Sequence, residues 1–413
     1  MNIAMVSEHA SPLAVLGGVD AGGQNVHVAA LATAISRLGA DVTVYTRRDE
    51  RRLPKRVDFV SGVTVEHVDA GPPHVLPKDE LYEHMPAFAE QLSRAWTDSR
   101  PDIVHAHFWM SGIASCAAAE ALPLPLVQTF HALGIERRRH QGAKDSSPPE
   151  RLQEERRIVE TVDRVVATAT AEAFELARMG ADSSRISVIP CGVDLTRFTP
   201  DGPCEVRAPG FFRLVCVTRL VERKGVGTVI EALARLRNVE LVVAGGPSLE
   251  ALPSDPEYAR LMKLAREQGV ADRVHFRGRL TRDQVPALMR SADAVVCVPW
   301  YEPFGMVALE AMACGTPVIA SSVGGLIDTV LDGKVGLHVP ARDAGALVKA
   351  VRLLMQQPEL SRQFAAAGRR RAEQRYGWDR IAKQTMDVYR EVIFDRTARD
   401  GRSKRRSHFH GQS

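Results

Sequence analysis

Short apolar runs alternate with segments of helical spacing along almost the whole chain, and this alternation constrains the fold more than any other feature. Runs at 3–6, 103–107 and 214–217 have the length of strands, and helical patterns separate most of them. Strands that alternate with helices are typical of parallel sheets covered by helices on both faces. We therefore predict an α/β protein built from doubly wound, Rossmann-like sheets.

Two such series follow one another, separated by a turn-rich break at 190–203. A chain of 413 residues is long enough for two or three domains. The predicted domains have similar lengths, and the helical stretch near the C-terminus carries apolar residues that fit either of them. The predicted boundaries are an N-terminal domain at 1–195, a C-terminal domain at 196–378, a last helix at 379–396 and a disordered basic tail at 397–413.

Polar residues recur where the predicted strands end. A glycine-rich loop follows the first strand, and His107, His131, Arg219 and Glu302 each stand at or just after the end of another. Open α/β sheets bind ligands outside the carboxyl ends of their strands. These residues are therefore candidates for one binding site.

The pattern at 299–325 predicts a loop, a helix and a strand after an apolar run, with Glu302 before the helix start and Glu310 within the helix. A helix start offers free backbone N–H groups that suit phosphate. Ionised carboxylates accept hydrogen bonds from vicinal hydroxyls. Phosphate and polyol together indicate a nucleotide sugar. The alternative is an ordinary βα unit whose glutamates face solvent.

Arg219 and Lys224 lie five residues apart between a predicted strand and helix. Such a pair can clamp a diphosphate and stabilise the charge on a leaving group. The alternative is a pair of solvated surface charges.

The glycine loop at 17–24 lacks the usual GxGxxG spacing, which disfavours nicotinamide binding. Its glycines still allow close approach of the backbone to an anion, although they also suit a flexible loop. His131 is interpreted either as a structural histidine or as a site residue, because it follows a buried-looking strand.

Composition excludes several classes of function. A net charge of +4 is too small to indicate nucleic-acid binding. The six cysteines form no CxxC pair, and no HxxxH, GxSxG or Walker A sequence occurs, so we expect no metal, no cofactor, and neither serine-hydrolase nor P-loop chemistry. We also expect a cytoplasmic protein without signal peptide or transmembrane segment.

These motifs together resemble a known family. The sequence is similar over roughly residues 1–395 to the retaining glycosyltransferases of family GT4, which have the GT-B fold of two Rossmann-like domains facing across a cleft. The resemblance implies that the last helix, at 379–396, crosses back to the N-terminal domain. The motif at 105–112 and the glycine loop resemble the D-inositol-3-phosphate glycosyltransferase and sucrose-phosphate synthase subgroups most closely. The motifs that carry the likeness are the glycine loop, His131, Arg219 with Lys224, and Glu302 with Phe304, Gly305 and Glu310.

The resemblance implies a role for each matched residue. His131 contacts the donor sugar, Arg219 and Lys224 hold the diphosphate, and Glu302 binds sugar hydroxyls; these four form the implied catalytic set. Glu310 binds the ribose diol. The remaining implied donor-binding residues are Gly22, Gly23, Gly278, Phe304, Gly305, Met306 and Val307.

The implied reaction transfers a hexose, with retention, from a nucleotide-diphosphate sugar to a hydroxyl acceptor such as a small polyol, sugar or glycoside. UDP-hexose is the first expected donor and GDP-mannose the second. A homodimer is left open. The alternatives are an epimerase or hydrolase of GT-B fold that acts on the donor alone, and a non-catalytic protein that binds a nucleotide sugar.

The acceptor side departs from the inositol-phosphate pattern. Lys78 and Arg151 match two phosphate-binding positions, but Phe108 and Ala132 stand where a tyrosine and a threonine are expected. We therefore hypothesise that inositol phosphate is not the natural acceptor. The expected acceptor-binding residues are Asp20, Lys78, His107 and Arg151, and the basic run at 137–140 is interpreted as a solvated loop.

Overall fold

The structure, a computed structural model, describes residues 1–14 and 22–409, with the side chains of 399–409 left aside. Among the described residues, two separate sheets are present, one of eight strands and one of six. The predicted α/β class with two doubly wound sheets is confirmed. No helix in this part of the chain is both long and apolar enough to cross a membrane.

The N-terminal sheet has the strand order β3-β4-β2-β1-β5-β6-β7-β8. Its central strands are buried on both faces; in β1, Ile3 and Met5 face one core while Ala4 and Val6 face the other. The strands are β1 Asn2–Val6, β2 Asp41–Arg47, β3 Arg56–Val60, β4 Val63–Val68, β5 Ile103–His107, β6 Leu126–Thr129, β7 Arg164–Ala167 and β8 Ile186–Val188. The helices between them are α1 Gly23–Ser36, α2 Met85–Asp98, α3 Trp109–Glu120, α4 Gly134–Gln141, α5 Arg151–Thr161 and α6 Thr170–Arg178.

The C-terminal sheet is parallel throughout and has the order β11-β10-β9-β12-β13-β14. The strands are β9 Phe212–Val217, β10 Val239–Ala244, β11 Val274–Gly278, β12 Ala294–Cys297, β13 Val318–Ser321 and β14 Gly336–Val339. The helices are α7 Val226–Leu233, α8 Pro256–Glu267, α9 Val285–Ser291, α10 Met306–Ala313, α11 Leu326–Thr329, α12 Ala344–Gln356, α13 Pro358–Arg375 and α14 Trp378–Phe409.

The last helix returns from the C-terminal half to the N-terminal domain. Ile381, Met386 and Tyr389 of α14 pack in the same core as residues of β1 and α1. The chain passes between the two domains twice, once near Val193 and once near Tyr376. These two passages run side by side, because the N–H of Val193 donates to the carbonyl of Tyr376 at 2.7 Å. The apolar spacing of 380–394 left the partner of this helix open, whereas the family resemblance implied the N-terminal domain, and the structure shows this packing.

Three local predictions differ from the structure. Strand β3 pairs antiparallel with β4, so the first sheet has one antiparallel edge, and its alternating, half-exposed pattern has too little apolar character to stand out. Helix α14 continues through residues 397–409, where a disordered tail is predicted, because no proline ends the helical stretch. The basic run at 137–140 is not a solvated loop but part of α4, where Arg137 pairs with Asp79 and Asp145.

Candidate active site

One cleft of about 370 Å³ lies between the two domains and is lined by residues of both. The strand order of the first sheet reverses between β1 and β5, and that of the second between β9 and β12. Ligands of open α/β sheets bind at such switch points, outside the carboxyl ends of the strands. The cleft residues His9, Phe108, Arg219 and Glu302 follow these four strands.

Cations and one carboxylate form the C-terminal wall of the cleft. The ammonium group of Lys224 forms an ion pair with the carboxylate of Glu302, and Arg219 and Arg223 line the same wall. Burial by itself raises the pKa of Glu302, but the charges of Lys224 and the two arginines outweigh burial and hold that pKa below its usual value. This wall is therefore charged and carries more positive than negative groups.

Helix α10 begins at the same wall. Gly305, just before the helix, has φ of +92°, and a Cβ there would lie 2.4 Å from a methyl carbon of Leu326. Glycine is therefore required where the chain turns into the helix. The predicted donor-binding residues Phe304, Gly305, Met306 and Val307 all line the cleft, and their N–H groups have no acceptor among the described residues. These groups are available to an anion.

Two predicted donor-binding residues are outside the cleft lining. Glu310 lies on α10, and its carboxylate is 3.5 Å from Nη2 of Arg282. Burial raises the pKa of Glu310 to about 7, against the opposing charges of Arg282 and Arg197. Gly278 ends β11, where its carbonyl accepts a hydrogen bond from the N–H of Gly245 at 2.8 Å. The structure does not bring either residue to the cleft surface.

The N-terminal wall contains the predicted residues Gly22, Gly23 and His131. Helix α1 begins at Gly23, and a Cβ on Gly23 would lie 3.3 Å from Sδ of Met306 in the opposite domain. Residues 15–21, including the predicted acceptor contact Asp20, lie outside the described residues. The start of α1 thus faces the start of α10 across the cleft.

Two cleft residues other than glycine have left-handed backbone conformations, His131 with φ of +61° and Phe108 with φ of +84°. Such conformations cost about 1–3 kcal/mol each and tend to occur at functional sites. In His131 the unusual backbone accompanies a hydrogen bond of 3.0 Å between its Nε2 and Nδ1 of His107. His107 is fully buried behind His131 and does not line the cleft.

A layer of histidines supports His131 from behind. The His105 ring lies tilted against that of His107 with ring centres 4.1 Å apart, and its two nitrogens bond to the hydroxyls of Tyr389 at 2.6 Å and Thr129 at 2.9 Å. Burial lowers the pKa of His105 to about 3 and that of His27 to about 4, and it also lowers the pKa of His107 and His131. These imidazoles are therefore neutral near pH 7. Ring nitrogens of His27, His107 and His131 lie within 4.8 Å of one another, which is the spacing of a possible metal group in the described chain.

The predicted acceptor residues Lys78 and Arg151 lie close to each other but differ in accessibility. The ammonium group of Lys78 lies 3.9 Å above the ring of Phe108 and lines the cleft. Burial and the nearby charges of Arg151 and Arg137 lower the pKa of Lys78 to about 7. Arg151 is buried outside the cleft lining, where its guanidinium donates to Glu155 at 2.8 Å and to the carbonyl of Ala132 at 2.6 Å.

Sequence reasoning missed several residues that line the cleft. Arg223 stands between the two predicted cations and could have been found from the basic run that contains them. His9 follows β1 as the other candidates follow their strands. Tyr301 is next to Glu302 and stacks on His140 of α4 with ring centres 5.4 Å apart, a contact that no local pattern encodes.

Comparison with known proteins places the chain in a family. A family described as Glycosyltransferase Family 4 matches residues 21–197, and one described as Glycosyl transferases group 1 matches residues 206–371. A D-inositol 3-phosphate glycosyltransferase of Streptomyces bingchenggensis (strain BCW-1) is 37% identical over 410 residues, which cover 95% of this chain and 89% of the relative.

Solved structures agree with this comparison. The sucrose-phosphate synthase of Thermosynechococcus elongatus has a TM-score of 0.87 and 30% identity, and the match covers 95% of this chain and 99% of the other. Anabaena HepE, solved in complex with UDP-glucose, has a TM-score of 0.71 and 20% identity, with 95% and 100% covered, and this likeness concerns the fold. The chain therefore belongs to the glycosyltransferases of family GT4 and has their GT-B fold.

Proposed function

We propose that this glycosyltransferase moves a hexose from a nucleotide-diphosphate sugar to a hydroxyl acceptor with retention at the anomeric carbon. The observation that carries the proposal is the C-terminal wall of the cleft, where Arg219, Arg223 and Lys224 lie with the free N–H groups at the start of α10. This arrangement suits the two phosphates of a donor, because cations and a helix start both stabilise anions.

The donor that we propose first is a UDP-hexose, and GDP-mannose is the second. HepE, which shares the fold, was solved with UDP-glucose, and this supports a nucleotide sugar in the same type of cleft. Glu302 stands beside the proposed phosphate site and stays ionised because its pKa is lowered, so it can accept hydrogen bonds from sugar hydroxyls. Glu310 would reach the ribose only after it exchanges its contact with Arg282 for the ribose hydroxyls.

The proposed chemistry is a front-side displacement. Of the described residues that line the cleft, Glu302 is the one carboxylate, and it is paired with Lys224 beside the proposed diphosphate site. The described part of the opposite wall thus offers no carboxylate nucleophile, which favours departure of the diphosphate from the face that the acceptor attacks. The leaving diphosphate accepts the acceptor proton, while Arg219 and Lys224 stabilise its charge. The scheme requires no metal or cofactor.

For the acceptor we propose a hydroxyl compound other than inositol phosphate. The cleft surface at this end is formed by the Phe108 ring and the Ala132 methyl group, neither of which can hydrogen-bond to a phosphate through its side chain, and Arg151 is already held by Glu155. The competing candidate is inositol phosphate itself. It is favoured by the name of the Streptomyces relative and by the unpaired ammonium group of Lys78 in the described structure.

The experiment incubates the protein with UDP-glucose, UDP-N-acetylglucosamine or GDP-mannose, first alone and then with inositol, inositol 3-phosphate, sugars and glycosides. Proton NMR follows the anomeric signals of donor and product. An α-linked product from an α-linked donor, formed with a neutral acceptor and absent with inositol 3-phosphate, is expected. Conversion of donor without acceptor would instead identify the epimerase or hydrolase, and binding without turnover would identify the non-catalytic alternative. Robust turnover with inositol 3-phosphate alone would overturn the acceptor proposal.

A further inference from the structure

Three histidines from three separate elements converge behind the cleft. His27 lies on α1, His107 ends β5, and His131 follows β6, and one ring nitrogen of each lies within 4.8 Å of the others. Nδ1 of His107 and Nε2 of His131 are 3.0 Å apart. Two imidazole ligands of a tetrahedral zinc ion with bonds near 2.0–2.1 Å are about 3.3 Å apart. The cluster therefore needs only small side-chain movements to surround an ion.

A second observation concerns the other ring nitrogen of His107. Nε2 of His107 is buried and has no hydrogen-bond partner among the described residues. A buried polar atom without a partner is destabilising by about 1–3 kcal/mol and is uncommon in folded proteins. Hydrogen bonds among the described residues therefore leave one nitrogen of the cluster unsatisfied.

The surrounding groups favour a transition-metal dication over other ligands. Imidazole nitrogens are ligands that suit zinc and other transition-metal dications. Nδ1 of His27 lies 3.2 Å from Sγ of Cys191, a contact that fixes the ring and leaves Nε2 for an ion. Because His131 also lines the cleft, a fourth coordination position would open toward solvent.

We propose that His27, His107 and His131 bind one zinc ion, and that the bound ion inhibits the enzyme by withdrawing His131 from the donor sugar. Three histidines with an open fourth position form a known type of zinc site. Transfer itself does not use the ion. The binding part of this inference is independent of the proposed function, whereas the inhibition rests on the role of His131 in that function.

The test is a metal titration of the full-length protein after treatment with a chelator. Cobalt(II) serves as the spectroscopic probe, and zinc competition against a chromophoric chelator gives the affinity. We expect one equivalent of cobalt to produce the visible absorption of a tetrahedral site and one equivalent of zinc to remove it. His107→Gln and, separately, His27→Gln should each weaken zinc binding about 100-fold or more, since loss of a supporting group alone costs about 10–100-fold.

The matched control is His275→Gln, because His275 lies half-exposed on β11 in the other domain and should leave zinc binding unchanged. Circular dichroism and melting without metal identify any variant that fails to fold, and His131→Gln then replaces it. The proposal is overturned if the wild-type protein gives no saturable tetrahedral signal, or if the cluster variants bind zinc as tightly as His275→Gln. Transfer by the wild-type protein should fall as zinc fills the site, whereas transfer by His27→Gln should stay unchanged at the same zinc concentration. Zinc binding without this loss of transfer would overturn the inhibition, and zinc binding with no detectable transfer under any condition would contradict the proposed function but not the metal site.

Discussion

Glu302 and Glu310 lie eight positions apart in sequence, yet the structure gives their carboxylates opposite electrostatic environments. Lys224 and its neighbouring arginines outweigh burial at Glu302, whereas burial outweighs Arg282 and Arg197 at Glu310. The first carboxylate is therefore ionised near neutral pH, and the second is near the midpoint of its titration. Their spacing alone suggested a pair with similar roles.

Replacing Lys224 by alanine should reduce transfer about 100- to 1000-fold and weaken binding of UDP. The substitution removes a cation from the proposed leaving group and leaves Glu302 without its ion-pair partner. Steady-state kinetics and calorimetry with UDP measure the two effects. Lys144→Ala is the matched control, because Lys144 is exposed and pairs with Glu222 on the surface. Wild-type activity in Lys224→Ala would show that the assignment of this wall is wrong.

Binding of a UDP-hexose should weaken about tenfold as the pH falls from about 8 to about 6. The pKa of Glu310 is about 7, so acidification protonates the carboxylate that would accept hydrogen bonds from the ribose. Calorimetry at several pH values measures this dependence, and Glu310→Gln should remove it.

A second group titrates in the same range and must be separated from Glu310. The pKa of Lys78 is also lowered to about 7, although it lies at the opposite wall. The pH series is therefore repeated with Lys78→Met, which should keep the dependence. If Glu310→Gln retains the wild-type pH profile, Glu310 does not contact the donor.

At the scale of elements, helix α14 contacts the layer of histidines behind the cleft through His105 and His27. The hydroxyl of Tyr389 bonds to Nδ1 of His105, and the ring of Trp378 lies 5.4 Å from that of His27. A Cβ on Gly192 would come within 2.5 Å of the Trp378 ring, so the chain crossing is tightly packed. The helix thus supports the residues behind His131 as well as covering the first sheet.

Tyr389→Phe should destabilise the protein by about 1–3 kcal/mol, because it leaves a buried nitrogen of His105 without its partner. Urea unfolding followed by circular dichroism measures the change. Phe394→Leu on the same helix is the control; Phe394 is 72% exposed, and its replacement should change the free energy of unfolding by less than about 0.5 kcal/mol. Equal stabilities of the two variants would argue against a structural role for the hydroxyl.

At the scale of the whole molecule, the candidate site belongs to neither domain alone. Gly22, Gly23 and His131 stand on one side of the cleft, and the cations with the start of α10 stand on the other. Met306 already approaches Gly23, so a donor held by the C-terminal wall would touch the N-terminal wall. Closure of the two domains around a donor would exclude water, which otherwise hydrolyses it.

Hydrogen exchange with a UDP-hexose present should therefore slow in both domains. We expect protection at residues 22–25 of the N-terminal domain as well as at 218–224 and 302–307 of the C-terminal domain. Mass spectrometry of peptides with and without donor measures the effect, and UDP without a sugar shows which part of the protection needs the hexose. Protection confined to the C-terminal segments would show that the donor occupies one wall only.

The sequence by itself determined the fold class and the part of the cleft that carries Arg219, Lys224, Glu302 and the start of α10. Burial of both sheet faces requires apolar runs separated by helices, which is why the fold class was predictable. Parallel strands bring their carboxyl ends to one edge of each sheet, so the residues after 107 and 130 on one sheet, and after 217 and 298 on the other, were predictable as neighbours. A helix that contains Glu310 was predicted within the stretch 299–325, and α10 is that helix.

Only the tertiary structure decided which side chains meet behind that edge. The contact between Arg282 and Glu310, the bond between His105 and Tyr389, and the grouping of His27 with His131 join residues that are 28 to 284 positions apart. No local periodicity encodes such pairs, because they depend on how helices pack on the sheets and how the two domains face each other. The strand-helix pattern of the sequence thus specifies the sheet edges at which the candidate site lies. The packing of the elements specifies the charge, protonation and partners of each side chain there.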